Sequence, residues 1–246
     1  MFKFVPAVAH AGGMITSLDA SPLASGKSYA MQVSCVKGKI QAGQGCEIGN
    51  AAWIEIDPAN ARADADARGA TGYYRPEDLH ADPTYAGPGL RFCWTNTGNE
   101  GASHFGEVVC GIDSDPMATP QPDAEGKLAM TVAVNRFIEG DREFNSVDNL
   151  AFQPGTGILY VVEDHDNGDI WACLPDGADR DIRSDGCIRM LSVKDTSAEP
   201  TGFIFSPDGM TAYVSIQHSD DTNMAKVSDY ATDDLIRISG FKMPAN

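Results

Sequence analysis

Five short segments place carboxylate or amide side chains where apolar runs end: Arg75-Pro76-Glu77-Asp78, Asp148-Asn149, Glu163-Asp164, Glu199 in AEPTG, and Gln217-His218. Carboxylates gathered from distant segments can hold hard cations such as Ca²⁺, which take oxygen ligands. The same residues also have plainer uses. An Asp-Asn pair commonly satisfies its own backbone in a turn, and Glu199 serves equally as a solvated loop residue. Adjacent carboxylates such as Glu163 and Asp164 repel unless a cation or solvent separates them. A lone histidine such as His218 is more often packed or solvated than a ligand, and His80, His104 and His165 have weaker claims.

The elements that would position these groups are short strands. Several segments share one grammar: a turn with Pro or Gly, a run rich in β-branched and aromatic residues, then an acidic or amide residue. Residues 151–164, AFQPGTGILYVVED, and 203–218, FIFSPDGMTAYVSIQH, each predict a hairpin, and 79–96, LHADPTYAGPGLRFCWTN, is a weaker copy. The copies recur at irregular spacings of some tens of residues, the order of a β-propeller blade of about forty residues. The expected fold is all-β, a β-propeller of antiparallel four-stranded blades, complete or open. At the strand ends of such a fold, side chains from different blades point into one channel. No window longer than about twelve residues keeps a helical period. Residues 60–68, NARADADAR, are the best helical candidate, and being polar almost all round they are expected as a surface insertion. Pro116–Gly126 reads as a loop, and 219–246 as a polar, mobile tail.

Composition bounds the function. The 246 residues are 42% hydrophobic and include 25 Gly and 14 Pro, which suits one turn-rich domain with a real core. Lys and Arg number 18 against 35 Asp and Glu, and the formal charge of −17 repels nucleic acid and anionic membranes. Acidic runs at 164–169 and 176–185 suit Ca²⁺, or are simply a solvated face. The six cysteines fall as neighbouring pairs, Cys35 with Cys46, Cys93 with Cys110 and Cys173 with Cys187. An even count without CxxC spacing favours disulfides and an exported protein, although fifteen pairings, or six free thiols, are formally open. Met1–Met14 is no convincing signal peptide, and no apolar run approaches the roughly twenty residues of a membrane span.

Taken in order, these segments resemble the PhoX-type alkaline phosphatases, secreted or periplasmic enzymes built on a β-propeller. The resemblance rests on KFVP near the start, YRPEDLHADP followed by a strand and TN, VDNLAF with GILYVVED, and AEPTGFIFSPDG with AYVSIQHS, and it spans about Phe2 to Ser219. It implies hydrolysis of small phosphate esters at iron and calcium ions held by channel carboxylates. Residue by residue, it implies that Arg75 reaches substrate phosphate and that Glu77 is a metal ligand. It implies a metal role for the acidic pair Asp148-Asn149 and a channel carboxylate at Glu199, and the family carries the Gln217-His218 pair. Glu163 and Asp164 add a credible calcium site near HDNGD. Residues two apart on an extended segment share a side, so Arg75 and Glu77 could face one site; a surface ion pair is the alternative.

Full-length members are longer, and an N-terminal half preceding KFVP supplies further ligands, including a cysteine on iron. The resemblance thus implies that 1–246 is either one propeller domain or the C-terminal portion of one, a fragment, a chain completed by a partner, or a reduced relative. Calcium alone would serve an incomplete cluster. An open propeller would leave an exposed strand edge that promotes self-association. Two other readings compete: a calcium-dependent lactonase-like hydrolase, suggested by NLAF and its hairpin, and a non-catalytic calcium-stabilised propeller.

Overall fold

Gly and Pro cut the apolar sequence into runs too short for helices, and in the computed structural model those runs pair as antiparallel strands. The structure describes residues 1–33, 48–175, 186–219 and 233–243. In chain order the strands are β1 (Phe2–Pro6), β2 (Gly26–Val33), β3 (Gly49–Ile56), β4 (Pro76–Ala81), β5 (Leu90–Asn96), β6 (Glu107–Asp113), β7 (Val132–Glu139), β8 (Val147–Phe152), β9 (Leu159–Glu163), β10 (Asp169–Cys173), β11 (Cys187–Ser192), β12 (Glu199–Phe205), β13 (Thr211–Gln217) and β14 (Asp234–Ser239). One α-helix, α1 (Ala61–Ala67), lies among them. It falls where NARADADAR predicts it, but it is not wholly a surface insertion: Ala65 is buried with Ala30, Ile56 and Ala70. Among the described residues no helix is long and apolar enough to cross a membrane.

The all-β expectation holds, and four-stranded blades are seen in one sheet of three. Among the described residues the strands make sheets of seven, four and three strands, ordered β1-β2-β3-β7-β6-β5-β4, β11-β10-β9-β8 and β12-β13-β14. The largest sheet results from a join at one edge: Gly49–Ala51 of β3 pair with Val132–Val134 of β7, so a run of strands that could have ended at β7 continues into β3. The 79–96, 151–164 and 203–218 hairpins form as β4-β5, β8-β9 and β12-β13. Gly209 in the last turn has a φ of +69°, and a Cβ there would sit 2.9 Å from the Pro154 carbonyl oxygen. Only glycine relieves both constraints. Pro116–Gly126 is irregular, as expected. Within the stretch read as a tail, Asp234–Ser239 forms β14, whose alternating DLIRIS pairs along β13 and leaves Leu235 and Ile236 exposed on an edge strand. Residues 220–232 and 244–246 lie outside the described residues.

The chain divides into two compact units. The first comprises Met1–Tyr73, Gly87–Leu90 and Gly111–Asn135. Its anchor is Asp113, a buried carboxylate that accepts from Trp53 Nε1 at 2.8 Å and Lys3 Nζ at 2.9 Å, with the Lys3 ammonium over the Trp53 ring.

The second unit comprises Tyr74–Ala86, Arg91–Cys110 and Arg136–Asn246. At its centre the β8–β11 sheet is covered on both faces. Val147, Leu150, Phe152, Leu159, Val161 and Trp171 pack on one side with Val108, Ile138 and Phe144. Ala151, Tyr160, Val162 and Ile170 pack on the other with Phe203, Ala212 and Val214. Burial on both faces explains why LYVV is apolar without alternation. Two disulfides, Cys93–Cys110 and Cys173–Cys187, close within the first of these cores. The third expected pair, Cys35–Cys46, lies outside the described residues. By the chain-entropy argument, each bond, closing 17 and 14 residues, stabilises by roughly 3 kcal/mol. Cys93→Ala with Cys110→Ala is therefore expected to lower the unfolding free energy by about that amount in a denaturant titration. A shift below about 0.5 kcal/mol would count against it.

Candidate functional site

Three first strands, β4, β8 and β12, are each the free edge of a meander, and each is irregular near its start. The pairing shifts between Pro76 and Leu79, between Val147 and Leu150, and between Thr201 and Ile204. The skipped residues are Glu77-Asp78, Asp148-Asn149 and Gly202-Phe203. A bulge releases a side chain from the ladder and re-aims it, so Glu77-Asp78 and Asp148-Asn149 sit in bulges near strand starts, while Glu163 and Gln217 do end their strands. Two residues that lead into these strands hold left-handed backbone, Arg75 with φ 53° and Ser146 with φ 49°. Such conformations are uncommon for residues with a Cβ and concentrate at functional sites.

Cross-strand bonds lock the three bulges together. Asp78 N–H donates to Thr95 Oγ1 at 3.2 Å, and the Thr95 hydroxyl in turn donates to the Asp148 carbonyl. Leu150 N–H donates to Asp78 Oδ2 at 3.2 Å. Asn149 Oδ1 accepts from Thr201 Oγ1 at 3.0 Å and from Gly202 N–H at 2.7 Å. With both of its lone pairs engaged, Asn149 holds β12 against β8 and is a positioning residue in this arrangement.

The arrangement crowds carboxylates around Asp148. Burial pushes the Asp148 carboxyl up to about 6, helped by the nearby charges of Asp164, Glu77, Asp78 and Glu199. Burial likewise raises Glu199, followed by a hydrogen bond with the Asp164 carboxyl and the Asp164 charge. Gln217 Nε2 donates to Glu199 Oε1, and His218 Nε2 lies 3.3 Å from the same oxygen. Arg75 Nη2 meets Asp164 Oδ2 at 3.3 Å, so its partner is Asp164 and not the neighbouring Glu77. Arg75, Glu77, Asp148, Asp164, Glu199 and His218 therefore belong to one neighbourhood. Asp78, which has no role of its own in the sequence reading, adds charge and a strap; its adjacency to Glu77, mirroring Asp148-Asn149, is the available signal.

Glu163 does not share that neighbourhood's openness. It is 1% exposed, and its oxygens accept from Asn145 N–H and Asp169 N–H, each at 3.0 Å. His165 Nε2 stands 3.4 Å away. A carboxylate ending an apolar strand faces either solvent or core, and here the next turn folds over it. Its hydrogen bond lifts His165 to about 9. The folded pKa lies above the ordinary 6.5, so the stabilisation is full below that value and fades as pH rises through about 9. Because the imidazole is half exposed, the effect is discounted to about 1 kcal/mol. His165→Gln should cost that much in urea titrations at pH 6 and nothing measurable near pH 10; a pH-independent loss would contradict it.

Among the described residues no three His, Cys, Asp or Glu side chains stand as a ready-made metal-binding group. The donors around Asp148 are nonetheless all hard oxygens under mutual repulsion, which fits calcium. The four described cysteines are in disulfides and offer no thiolate to iron.

No curated protein and no solved structure matches the chain significantly. Residues 1–220, by contrast, match the family model of alkaline phosphatase PhoX. That match takes in all three bulged strands, Arg75 and the carboxylates around Asp148, and the chain belongs to the alkaline phosphatase PhoX family.

Proposed function

We propose that the chain is a calcium-dependent phosphomonoester hydrolase of β-propeller architecture whose site lies at the bulged starts of β4, β8 and β12. The observation that carries this reading is the repelling carboxylate group around Asp148, with the Arg75 guanidinium tied to its edge through Asp164. The propeller is supported by meanders whose edge strands β4 and β12 both neighbour the edge strand β8, and by a β8–β11 sheet packed on both faces. Export is supported by two buried disulfides.

Glu77, Asp148, Asp164 and Glu199 would hold the cation, which when bound supplies Lewis-acid stabilisation of phosphoryl charge and a more acidic water. Arg75 offers fork-shaped donors to a phosphoryl oxygen, and its left-handed backbone fixes where that fork starts. Asn149 and Asp78 keep the three strands in register, while His218 and Gln217 orient Glu199. Hydrolysis of p-nitrophenyl phosphate, measured from pH 7 to 10 in calcium and again in excess chelator, tests the reading. Activity should require calcium, and Arg75→Ala should lower kcat/KM by about 10- to 100-fold, the worth of a charge-assisted contact. Absence of turnover in calcium across that range would refute it.

A further inference from the structure

The geometry points to a leaving-group subsite beside Arg75 that selects monoesters of uncharged, hydroxylated alcohols over those whose alcohol carries a second anion; this rests on the phosphatase reading above. An open groove of about 650 Å³ is lined by Tyr74, Arg75, Asn99, Glu100 and Ser146 among others. It adjoins the carboxylate group through two of these residues. Arg75 pairs with Asp164, and the Ser146 carbonyl accepts from Asp164 N–H at 2.7 Å. A phosphate met by Arg75 would therefore leave its alcohol part facing the groove.

The groove's chemistry suits hydroxyls. Tyr74 stacks on His104 with centroids 5.5 Å apart, and its hydroxyl accepts from Asn99 Nδ2 at 2.8 Å. That leaves the phenolic proton to donate. The wall is preformed, because Asn99 and His104 exchange two backbone hydrogen bonds of 2.6 and 3.0 Å. Glu100, on the same loop, is exposed and makes no ion pair among the described residues. Of the nearby cations, Arg75 pairs with Asp164 and His165 with Glu163, and the Glu100 charge adds only a minor part to holding His165 protonated. An alcohol hydroxyl can donate to Glu100, whereas a carboxylate or second phosphate would meet a like charge. At a separation of about 6 Å in a half-wet groove, that repulsion corresponds to roughly tenfold in affinity.

Glycerol 3-phosphate and 3-phosphoglycerate differ by one hydroxymethyl against one carboxylate, and the full chain in saturating calcium should be offered both. Turnover gives the ratio of kcat/KM, and isothermal titration gives the ratio of Kd. Wild type should favour glycerol 3-phosphate by about tenfold or more, and Glu100→Gln should bring the ratio within about threefold. Tyr74→Phe should weaken glycerol 3-phosphate by about three- to tenfold, the worth of one neutral hydrogen bond. Should Glu100→Gln fold poorly, 0.5 M salt on wild type should compress the ratio in the same way. Turnover of both esters without preference, binding of neither, or a preference that survives Glu100→Gln and salt overturns the subsite. A preference in Kd without turnover keeps the subsite and removes the hydrolase reading.

Discussion

Glu163→Ala is expected to cost about 3–5 kcal/mol, enough to leave little folded protein at 37 °C if the chain has ordinary domain stability. The carboxylate is almost fully buried, and it satisfies the backbone N–H groups of Asn145 and Asp169, themselves buried. Removing it leaves two buried donors without acceptors and takes away the partner of a charged His165. Glu163→Gln keeps one acceptor oxygen but turns an amide N–H₂ toward a backbone donor, so it should still cost about 2–3 kcal/mol. Chemical denaturation in excess chelator checks both values. A ligand role for Glu163 makes the opposite forecast, with near wild-type stability in chelator and a lost response to calcium. That pattern would overturn the structural role assigned here.

The behaviour of Glu163 shows what the sequence could and could not convey. Hairpins were legible because their signals are local: Pro-Gly and Pro-Asp-Gly turns between apolar runs fix register without reference to the rest of the chain. The Cys93–Cys110 and Cys173–Cys187 pairs were legible for the same reason. Sheet membership was not. The pairing of β3 with β7 joins residues some eighty positions apart, and nothing in GNAA or VAV announces it.

At the site, residue type and position after an apolar run singled out Glu77, Asp148, Asp164 and Glu199, which the structure brings into one neighbourhood, but burial separates an open carboxylate from a strut, and burial is a tertiary property. Glu163 and Asp164 are adjacent, yet one turns inward and the other meets Arg75. The Asn149 oxygen, a candidate ligand by sequence, accepts from a backbone N–H on a neighbouring strand, and the Asp78 carboxylate does the same. Two of the three bulges had no sequence mark beyond a polar pair, Glu77-Asp78 and Asp148-Asn149, and the third, at Gly202-Phe203, had not even that.

Calcium should raise the unfolding free energy by an amount that grows with the logarithm of its concentration, reaching about 4 kcal/mol at a thousand times the dissociation constant. Asp148→Asn should reverse its rank against wild type according to whether calcium is present. In chelator the Asp148 carboxyl titrates at about 6 because burial and four neighbouring carboxylates disfavour its charge, while in the unfolded chain it titrates near 4. Its contribution to stability is therefore full below about pH 4, is lost as pH rises through about 6, and stays absent at pH 8. Wild type in chelator should be more stable at pH 5 than at pH 8 as far as this group is concerned. Asp148→Asn, neutral at every pH, should then be the more stable protein at pH 8, by about 1 kcal/mol once the half-exposed position is discounted. With calcium the order inverts, because the cation draws its affinity from the same repulsion that weakens the metal-free fold, and the amide supplies no charge to hold it. Melting curves of both proteins at pH 8, with chelator and across a calcium series, decide the matter. An asparagine variant that is less stable in chelator and equally responsive to calcium would show that the carboxylates around Asp148 are not the metal site.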